Sequence, residues 1–499
     1  MSHRRGAIVL GLALGLALCL SAAPRAAGPA EALATGPHAR SRAAQPAGAG
    51  AGRLARASAS QPTSEITLAP IPAGAGIGVT MAPVGLSIEY PVMDADLGAE
   101  ACPPAALIAE LQRLGSPPVE LAGVSQDMTA PAGALTGPTS WETGTLFSLP
   151  AAFWSQLHCL LSASKDALTV GLNARTGNLA WAAQMVAGAH SAASNGLSFS
   201  LGNEPDRYPL PNYSSLDKPF PGQQEAAANL YLQLASYLRP AIGGEPLIGP
   251  ELSRPATWFG ELPRILATLH EQTVGVHIYP LTDCVSPRAV TIGGLLSSSA
   301  ADSPSRLAWV VADARAAGLP AIVSEANSVS CGGRQGVSDS PAAAVWAVRF
   351  VLSALKTGFG EVRFHFSGNS YDPFLVRGNA VLTRPIESAL VALNQWLPVG
   401  SVLKTVRGVR ELGATAVRTP VGGVTVILDN ERAQARSVVL HSSRVVQVAS
   451  LSPARAGLRT LNLSPTGGRI RVSVPANGVL AASVAPVVPA PAGAAPASP

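Results

Sequence analysis

The run from Pro304 to Ala326, PSRLAWVVADARAAGLPAIVSEA, carries the unit from which the fold is read. Apolar Leu307, Val310, Val311 and Ala314 recur at helical spacing, so 304–317 reads as an amphipathic helix. Gly318 and Pro320 punctuate its end, and the apolar segment 320–326 reads as a buried strand. The pairing recurs along the chain. Strands are expected at 85–90, 118–123, 167–173, 197–203, 246–252, 274–279, 320–326 and 361–367. Helices are expected at 104–115, 153–164, 178–193, 223–240, 258–270, 304–317, 340–357 and 384–396. Eight strands, each followed by a helix, over about 310 residues match the arithmetic of a (β/α)8 barrel. A doubly wound sheet is the competing α/β class, but no Gly-rich phosphate turn follows an early strand. The expected fold is therefore α/β, with a (β/α)8 TIM barrel over 85–398.

The rhythm changes after Trp396. Short β-rich runs at 402–406, 416–418, 423–428, 437–440, 445–449, 469–474 and 479–484 predict a C-terminal antiparallel β-sandwich over 399–485. Residues 65–84, through Ile66–Leu68 and Ile77–Thr80, are expected to add strands to it. At the other extreme, Met1–Arg5 is basic and Ala7–Leu20 is apolar, with small residues from Ala22 to Ala27. That pattern reads as a signal peptide over 1–27, too short for a membrane span. Ala- and Pro-rich composition makes 28–64 a disordered linker and 486–499 a disordered tail. The expected location is secreted or periplasmic, with no membrane partner after cleavage.

Charged residues are 13% and hydrophobic residues 47% of the 499, which excludes a disordered polyelectrolyte. The net charge of +5 is misleading. Seven Arg and one acid fall within the first 60 residues, so the other 439 sum to −1. No nucleic-acid partner is expected on that distribution. Without Cys19 of the signal, Cys102, Cys159, Cys284 and Cys331 remain. An even count in an exported chain predicts two disulfides, with three pairings open.

In a barrel, the C-terminal ends of the strands face the active site. The polar residues at those ends are Glu89, Ser125-Gln126-Asp127, Asn173, Asn203-Glu204, His277, Tyr279, Glu325, Asn327 and His365. Acids are costly to bury without partners, so their convergence in a charge-poor chain is a functional signal. Glu204 and Glu325 end strands three βα units apart and can face one another across the barrel. Two carboxylates about 5–5.5 Å apart, one protonated and one ionised, suit double-displacement glycoside hydrolysis. His277 and His365 equally read as packing residues, and Trp141, Trp154 and Trp258 as packing or as sugar platforms. No spacing matches a metal motif; neither metal nor cofactor is expected.

Three stretches carry a resemblance: Gly202-Asn-Glu-Pro-Asp206, His277-Ile-Tyr-Pro280 and Ser324-Glu-Ala-Asn-Ser-Val-Ser-Cys-Gly-Gly333. Gly336-Val-Ser-Asp339 and Ala342-Ala-Ala-Val-Trp346 extend the last. They resemble glycoside hydrolase family 79, the β-glucuronidase and heparanase family, within the large clan of retaining (β/α)8 glycosidases. The resemblance implies Glu204 as acid/base and Glu325 as nucleophile. It implies Asn203 at the sugar 2-hydroxyl, Tyr279 holding the nucleophile, and Glu89, Ser125 and Asp127 receiving hydroxyls of the terminal sugar. It also suggests a Cys284–Cys331 bridge. Before Ser-Gln-Asp the family tends to show an Arg and paired glycines, where this chain has Glu120-Leu-Ala-Gly-Val-Ser125. The implied activity is an exo-β-glucuronidase on a glucuronate-containing carbohydrate. An endo-acting heparanase-like hydrolase and a non-catalytic sugar-binding barrel are the alternatives. For the uronate carboxylate, the Gly-rich segment Ser328–Gly336 is expected to offer backbone N–H groups, with Arg334 as a charged helper.

Overall fold

Strands buried on both faces read as continuous apolar runs, and eight such strands form the centre of this chain. They are β1 (Val84–Glu89), β2 (Val119–Ala122), β3 (Leu168–Leu172), β4 (Leu197–Leu201), β5 (Leu247–Leu252), β6 (Thr273–Ile278), β7 (Ala321–Ala326) and β8 (Val362–Phe366). All pair in parallel, and β8 returns to β1 to close the barrel. The computed structural model describes residues 64–68, 76–134, 147–208, 223–269, 271–407, 409 and 411–485. The expected signal peptide, nearly all of the linker, the tail and Trp141 lie outside the described residues.

Each expected barrel strand is present, with ends within two residues of the sequence reading. The helices agree except at their starts. Leu262–Leu269 is preceded by a 3-10 turn, Pro255–Trp258, rather than beginning at 258. Pro263 accounts for this: without an N–H it fits the first turn of a helix and would break an interior. Trp258 is fully buried against Tyr231, and Trp154 packs edge-on to Phe153, so both serve packing.

The barrel floor, at the N-terminal ends of the strands, is ionic. Arg363 on β8 donates to Glu120 on β2 at 2.8 Å, to Glu361 at 3.0 Å and to Thr169 on β3 at 3.1 Å, all of them buried. One guanidinium between two carboxylates is the arrangement that lets both acids stay charged out of water.

Beyond the barrel, among the described residues, lie a seven-stranded and a three-stranded sheet, besides three two-stranded ribbons. The seven-stranded one runs Ile77–Gly78, Val402–Thr405, Gly413–Arg418, Val424–Asp429, Val479–Val484, Val446–Ser452, Arg455–Leu463. Its partner has three strands: Ser64–Thr67, Arg436–His441 and Arg469–Val474. Their inner faces meet through residues such as Val426, Leu428, Leu440, Val448 and Val472. Two features depart from the expected antiparallel sandwich. Ser64–Thr67 pairs in parallel with Arg436–His441, and the mostly exposed Arg455–Leu463 was not legible as a strand because it lacks an apolar face. Arg349, on the buried helix Pro341–Thr357, reaches Asp429 at 2.7 Å and the Asn430 carbonyl, tying barrel to sandwich.

Cysteines pair as Cys102–Cys159 and Cys284–Cys331. The second closes a separation of 47 residues, worth about 4 kcal/mol in the chain-entropy account. Among the described residues no helix is long and apolar enough to cross a membrane.

The floor cluster yields a stability prediction. Arg363→Leu should lower the unfolding free energy by about 3–5 kcal/mol, because two buried carboxylates lose their cation. Denaturant melts of the two proteins measure this; a change below 1 kcal/mol would show that water reaches the floor and screens it.

Candidate active site

At the other end of the barrel the strands deliver their polar residues to one cleft. His277 on β6 lies beside Glu325 on β7 in register, just after a bulge between Val276 and His277. A bulge re-aims the side chain that follows it. Glu204 sits immediately beyond β4 with φ 49° and ψ 55°, the left-handed region. A non-glycine residue there stores about 1 kcal/mol or more of strain, so the surroundings must hold it. Two acids, the buried Asp127 and the half-buried Asp206, do so. Asp127 accepts the Asn203 N–H at 3.1 Å and the Tyr208 hydroxyl at 2.7 Å, and Asp206 accepts the N–H groups of Ser253 and Arg254.

One carboxylate oxygen of Glu204, one of Glu325 and a ring nitrogen of His277 lie within 4.8 Å of one another. The Tyr279 hydroxyl donates to Glu325 Oε1 at 2.7 Å. His277 Nδ1 is 3.2 Å from Glu204 Oε1 and 3.8 Å from Glu325 Oε2, and Arg207 donates to Glu204 Oε2 at 2.7 Å. On the far side of Glu325, His365 Nδ1 lies 3.5 Å from its Oε2 while His365 Nε2 lies 3.5 Å from Glu89 Oε1.

These contacts set the charges. Burial would depress His277, but the Glu325 charge and the hydrogen bond and charge of Glu204 outweigh it and push it up to about 10. Burial would raise Glu204, yet His277 and Arg207 hold it at about 2. His365, likewise buried, is pushed up to about 9 by Glu325 and Glu89. The substrate-free site therefore holds its mobile proton on His277. Among the described residues, Glu204, His277 and Glu325 are also the group with the geometry to hold a metal ion.

Glu89 accepts the N–H groups of Val124 at 3.0 Å and Ser125 at 2.7 Å. This close approach explains Gly123, with φ +77°: a Cβ there would stand 2.5 Å from Glu89 Oε1 and 2.6 Å from His365 Cε1.

The cleft, of about 520 Å³, is lined by Glu89, Asn203, Glu204, His277, Tyr279, Glu325 and His365, so most of the expected residues converge. The buried Asn203 Oδ1 has no hydrogen-bond partner. Six expected residues, Ser125, Gln126, Asp127, Asn173, Asn327 and Arg334, are not on the cleft wall. Ser125 and Asp127 are one layer back, occupied with Glu89, Tyr90, Asn203 and Tyr208. The Arg334 guanidinium pairs with Asp283 at 3.2 Å and with the Pro287 carbonyl, and it is not among the residues lining the cleft. The sequence reading missed Arg207, Arg254, Ser367 and Tyr371, all on the cleft wall. Arg207 was recoverable, lying three residues after Glu204; the others sit on loops with no pattern.

Neither a family model nor a curated protein matches this sequence. Solved structures do. A 4-O-α-L-rhamnosyl-β-D-glucuronidase from Fusarium oxysporum 12S, in complex with Rha-GlcA, aligns with TM-score 0.63 at 18% identity over 84% of this chain and 100% of its own. A family 51 arabinofuranosidase from Xanthomonas axonopodis pv. citri aligns with TM-score 0.60 at 12% identity, over 82% and 97%. A family 30 subfamily 8 xylanase from Clostridium acetobutylicum aligns with TM-score 0.52 at 14% identity, over 84% and 98%. The fold is that of barrel glycosidases. At these identities the likeness speaks for architecture, and the chemistry has to be argued from the cleft.

The charge arrangement makes a pH prediction. His277 and His365, raised from 6.5 to about 10 and about 9, stabilise the fold fully below 6.5, and that stability is lost as pH rises toward those values. Glu204, lowered from 4.5 to about 2, stabilises above 4.5 and is lost as pH falls toward 2. Thermal melts should fall off on both sides of pH 5–6.5, and His277→Gln should flatten the alkaline fall. An unchanged alkaline limb in that variant would refute the imidazolium.

Proposed function

We propose that the protein is an exported retaining β-glucuronidase that removes terminal glucuronic acid from glycans by double displacement. One observation carries the reaction class: an oxygen of Glu204 and an oxygen of Glu325 lie within 4.8 Å. Retaining glycosidases place their carboxyls about 5–5.5 Å apart, whereas inverting ones need about 6.5–9.5 Å to admit a water. Glu325 attacks the anomeric carbon. Tyr279 fixes one of its oxygens, leaving the other to form the glycosyl ester. Glu204 protonates the leaving oxygen with the proton that the empty site keeps on His277, 3.2 Å away. In the second step Glu204 takes a proton from the attacking water, and the ester to Glu325 breaks.

Asn203 Oδ1, buried and unpartnered, suits the sugar 2-hydroxyl, since an orphaned acceptor is costly until a donor arrives. For the uronate carboxylate, Ser330, Cys331 and Gly332 line the wall beside Glu325. Gly332 and Gly333 have φ +87° and +77°, in a Gly-rich turn whose N–H groups can approach an anion. Hydrogen bonds to a charged group contribute about 1.5–3 kcal/mol each, so neutral donors suffice for a strong preference. The two disulfides support export.

Specificity is tested by the ratio of kcat/KM for an aryl β-glucuronide over the matching β-glucoside. The ratio should be large, and Arg334→Ala should lower it only modestly. A ratio near unity in the wild type would defeat the glucuronidase reading, while leaving a retaining glycosidase standing.

Roles are tested separately. A 2-fluoro glucuronide inactivator should label Glu325 alone, and Glu325→Gln should abolish labelling. Glu204→Ala should slow substrates with poor leaving groups at least tenfold more than activated aryl glycosides, which need no proton. Equal losses on both substrate types would refute Glu204 as the acid.

A further inference from the structure

Beyond its first 60 residues the chain sums to near neutrality, yet its two folded parts are oppositely charged. Residues 85–398 carry 17 Lys and Arg against 25 Asp and Glu, a sum of −8. Residues 399–485 carry ten Arg and one Lys against three acids, a sum of +8. The distribution of charge, rather than its total, decides which partners a surface attracts.

Most acids of the sandwich already have a cation. Glu411 pairs with Arg436 at 2.8 Å, and Asp429 with the barrel's Arg349 at 2.7 Å. Glu65, on the strand added from the other end of the chain, pairs with His441 at 3.1 Å. Four arginines, by contrast, stand open to solvent. Arg469 and Arg471 alternate with buried Ile470 and Val472, so both project from the outer face of the three-stranded sheet, about 7 Å apart. Arg455 and Arg459 are exposed on Arg455–Leu463, the outermost strand of the seven-stranded sheet. These two strands are consecutive, are joined by residues 464–468 alone, and each forms an edge of its sheet. They therefore border one side of the sandwich. None of the four arginines forms an ion pair among the described residues. Charge on an edge strand guards against strand addition, but either sign does that. An excess of one sign calls for a partner of the other.

We propose that this side of the sandwich is a docking face for an acidic polysaccharide bearing carboxylates on its sugar rings, the polymer whose chain ends the cleft trims. The choice of polyanion rests on the glucuronidase reading; the charge of the face does not. A guanidinium matches a carboxylate with two parallel hydrogen bonds and stays charged at any working pH. A polymer repeats its carboxylate, so several weak contacts act together where a single sugar would make one. Holding the polymer on the sandwich raises the concentration of its ends around the cleft. A small aryl glycoside draws no such benefit.

The experiment measures binding of the full chain to soluble β-1,4-polyglucuronate, with neutral cellulose oligomers as the control. The wild type should bind the polyglucuronate and not the neutral glucan. Affinity should fall at least tenfold as salt shortens the screening length from about 10 Å at 0.1 M to about 3 Å at 1 M. Arg469→Ser with Arg471→Ser, and Arg455→Ser with Arg459→Ser, should each weaken binding at least threefold, and all four together at least tenfold. The fourfold variant should keep kcat/KM on 4-nitrophenyl β-glucuronide within twofold. Should it fail to fold, Arg471→Glu, which reverses one exposed charge, should give the same split between polymer and small substrate. Absence of wild-type binding, or binding that the substitutions leave unchanged, would overturn the docking face. Tighter binding to duplex DNA or to phosphatidylserine vesicles, or self-association that the polymer does not disperse, would overturn it equally. Binding that depends on the arginines, with no turnover of the aryl glucuronide, would overturn the glucuronidase reading and leave the face standing.

Discussion

Two carboxylates held within 4.8 Å of each other in a buried cleft repel by about 3 kcal/mol at an effective dielectric near 20. Such a pair needs either a shared proton or a cation beside it, and His277, its pKa raised by both carboxylates, lies 3.2 Å from Glu204 and 3.8 Å from Glu325. Much else in the site follows from that requirement. The bulge precedes His277, Arg207 takes Oε2 of Glu204 while His277 faces its Oε1, and His365 approaches Oε2 of Glu325. Each acid thus keeps a counter-charge in a space with little water. The proton on His277 at once offsets the repulsion of the pair and, unlike those of Arg207, can be released to Glu204.

The same solution appears at the opposite end of the barrel, where Arg363 stands between Glu120 and Glu361. The two clusters differ in what they can do. A guanidinium does not release its proton, so the floor is a fixed plug. An imidazole can, so the mouth can do chemistry. Rigidity below and proton mobility above follow from the choice of cation.

Around the mouth, a layer of acids works through the backbone. Asp127, Asp206 and Glu89 accept main-chain N–H groups and hold the turns after β2, β4 and β5 in place. The Cys284–Cys331 bridge joins the loops after β6 and β7, with both cysteines on the cleft wall. Arg334 strengthens the same junction through Asp283. Loops on a barrel are where specificity varies, and these are pinned rather than free.

The eight strands, their order and the convergence of Glu204 and Glu325 were legible in the sequence. Burial on both faces writes each strand as an apolar run, and parallel closure leaves one topology for eight such runs. The stretch Glu120–Ser125 was visible as a departure from the resembling family, but the reason for its Gly123 lies in Glu89 and His365, which only the closed barrel brings against it. Tertiary structure alone decided that Arg334 pairs with Asp283, that Ser125 and Asp127 stand behind the cleft, and that His277 rather than Glu204 holds the proton. A sequence fixes which groups a strand end presents. Which neighbour a side chain meets, and so its charge, depends on distances of a few ångströms between residues such as Glu204 and His277, 73 positions apart in the chain.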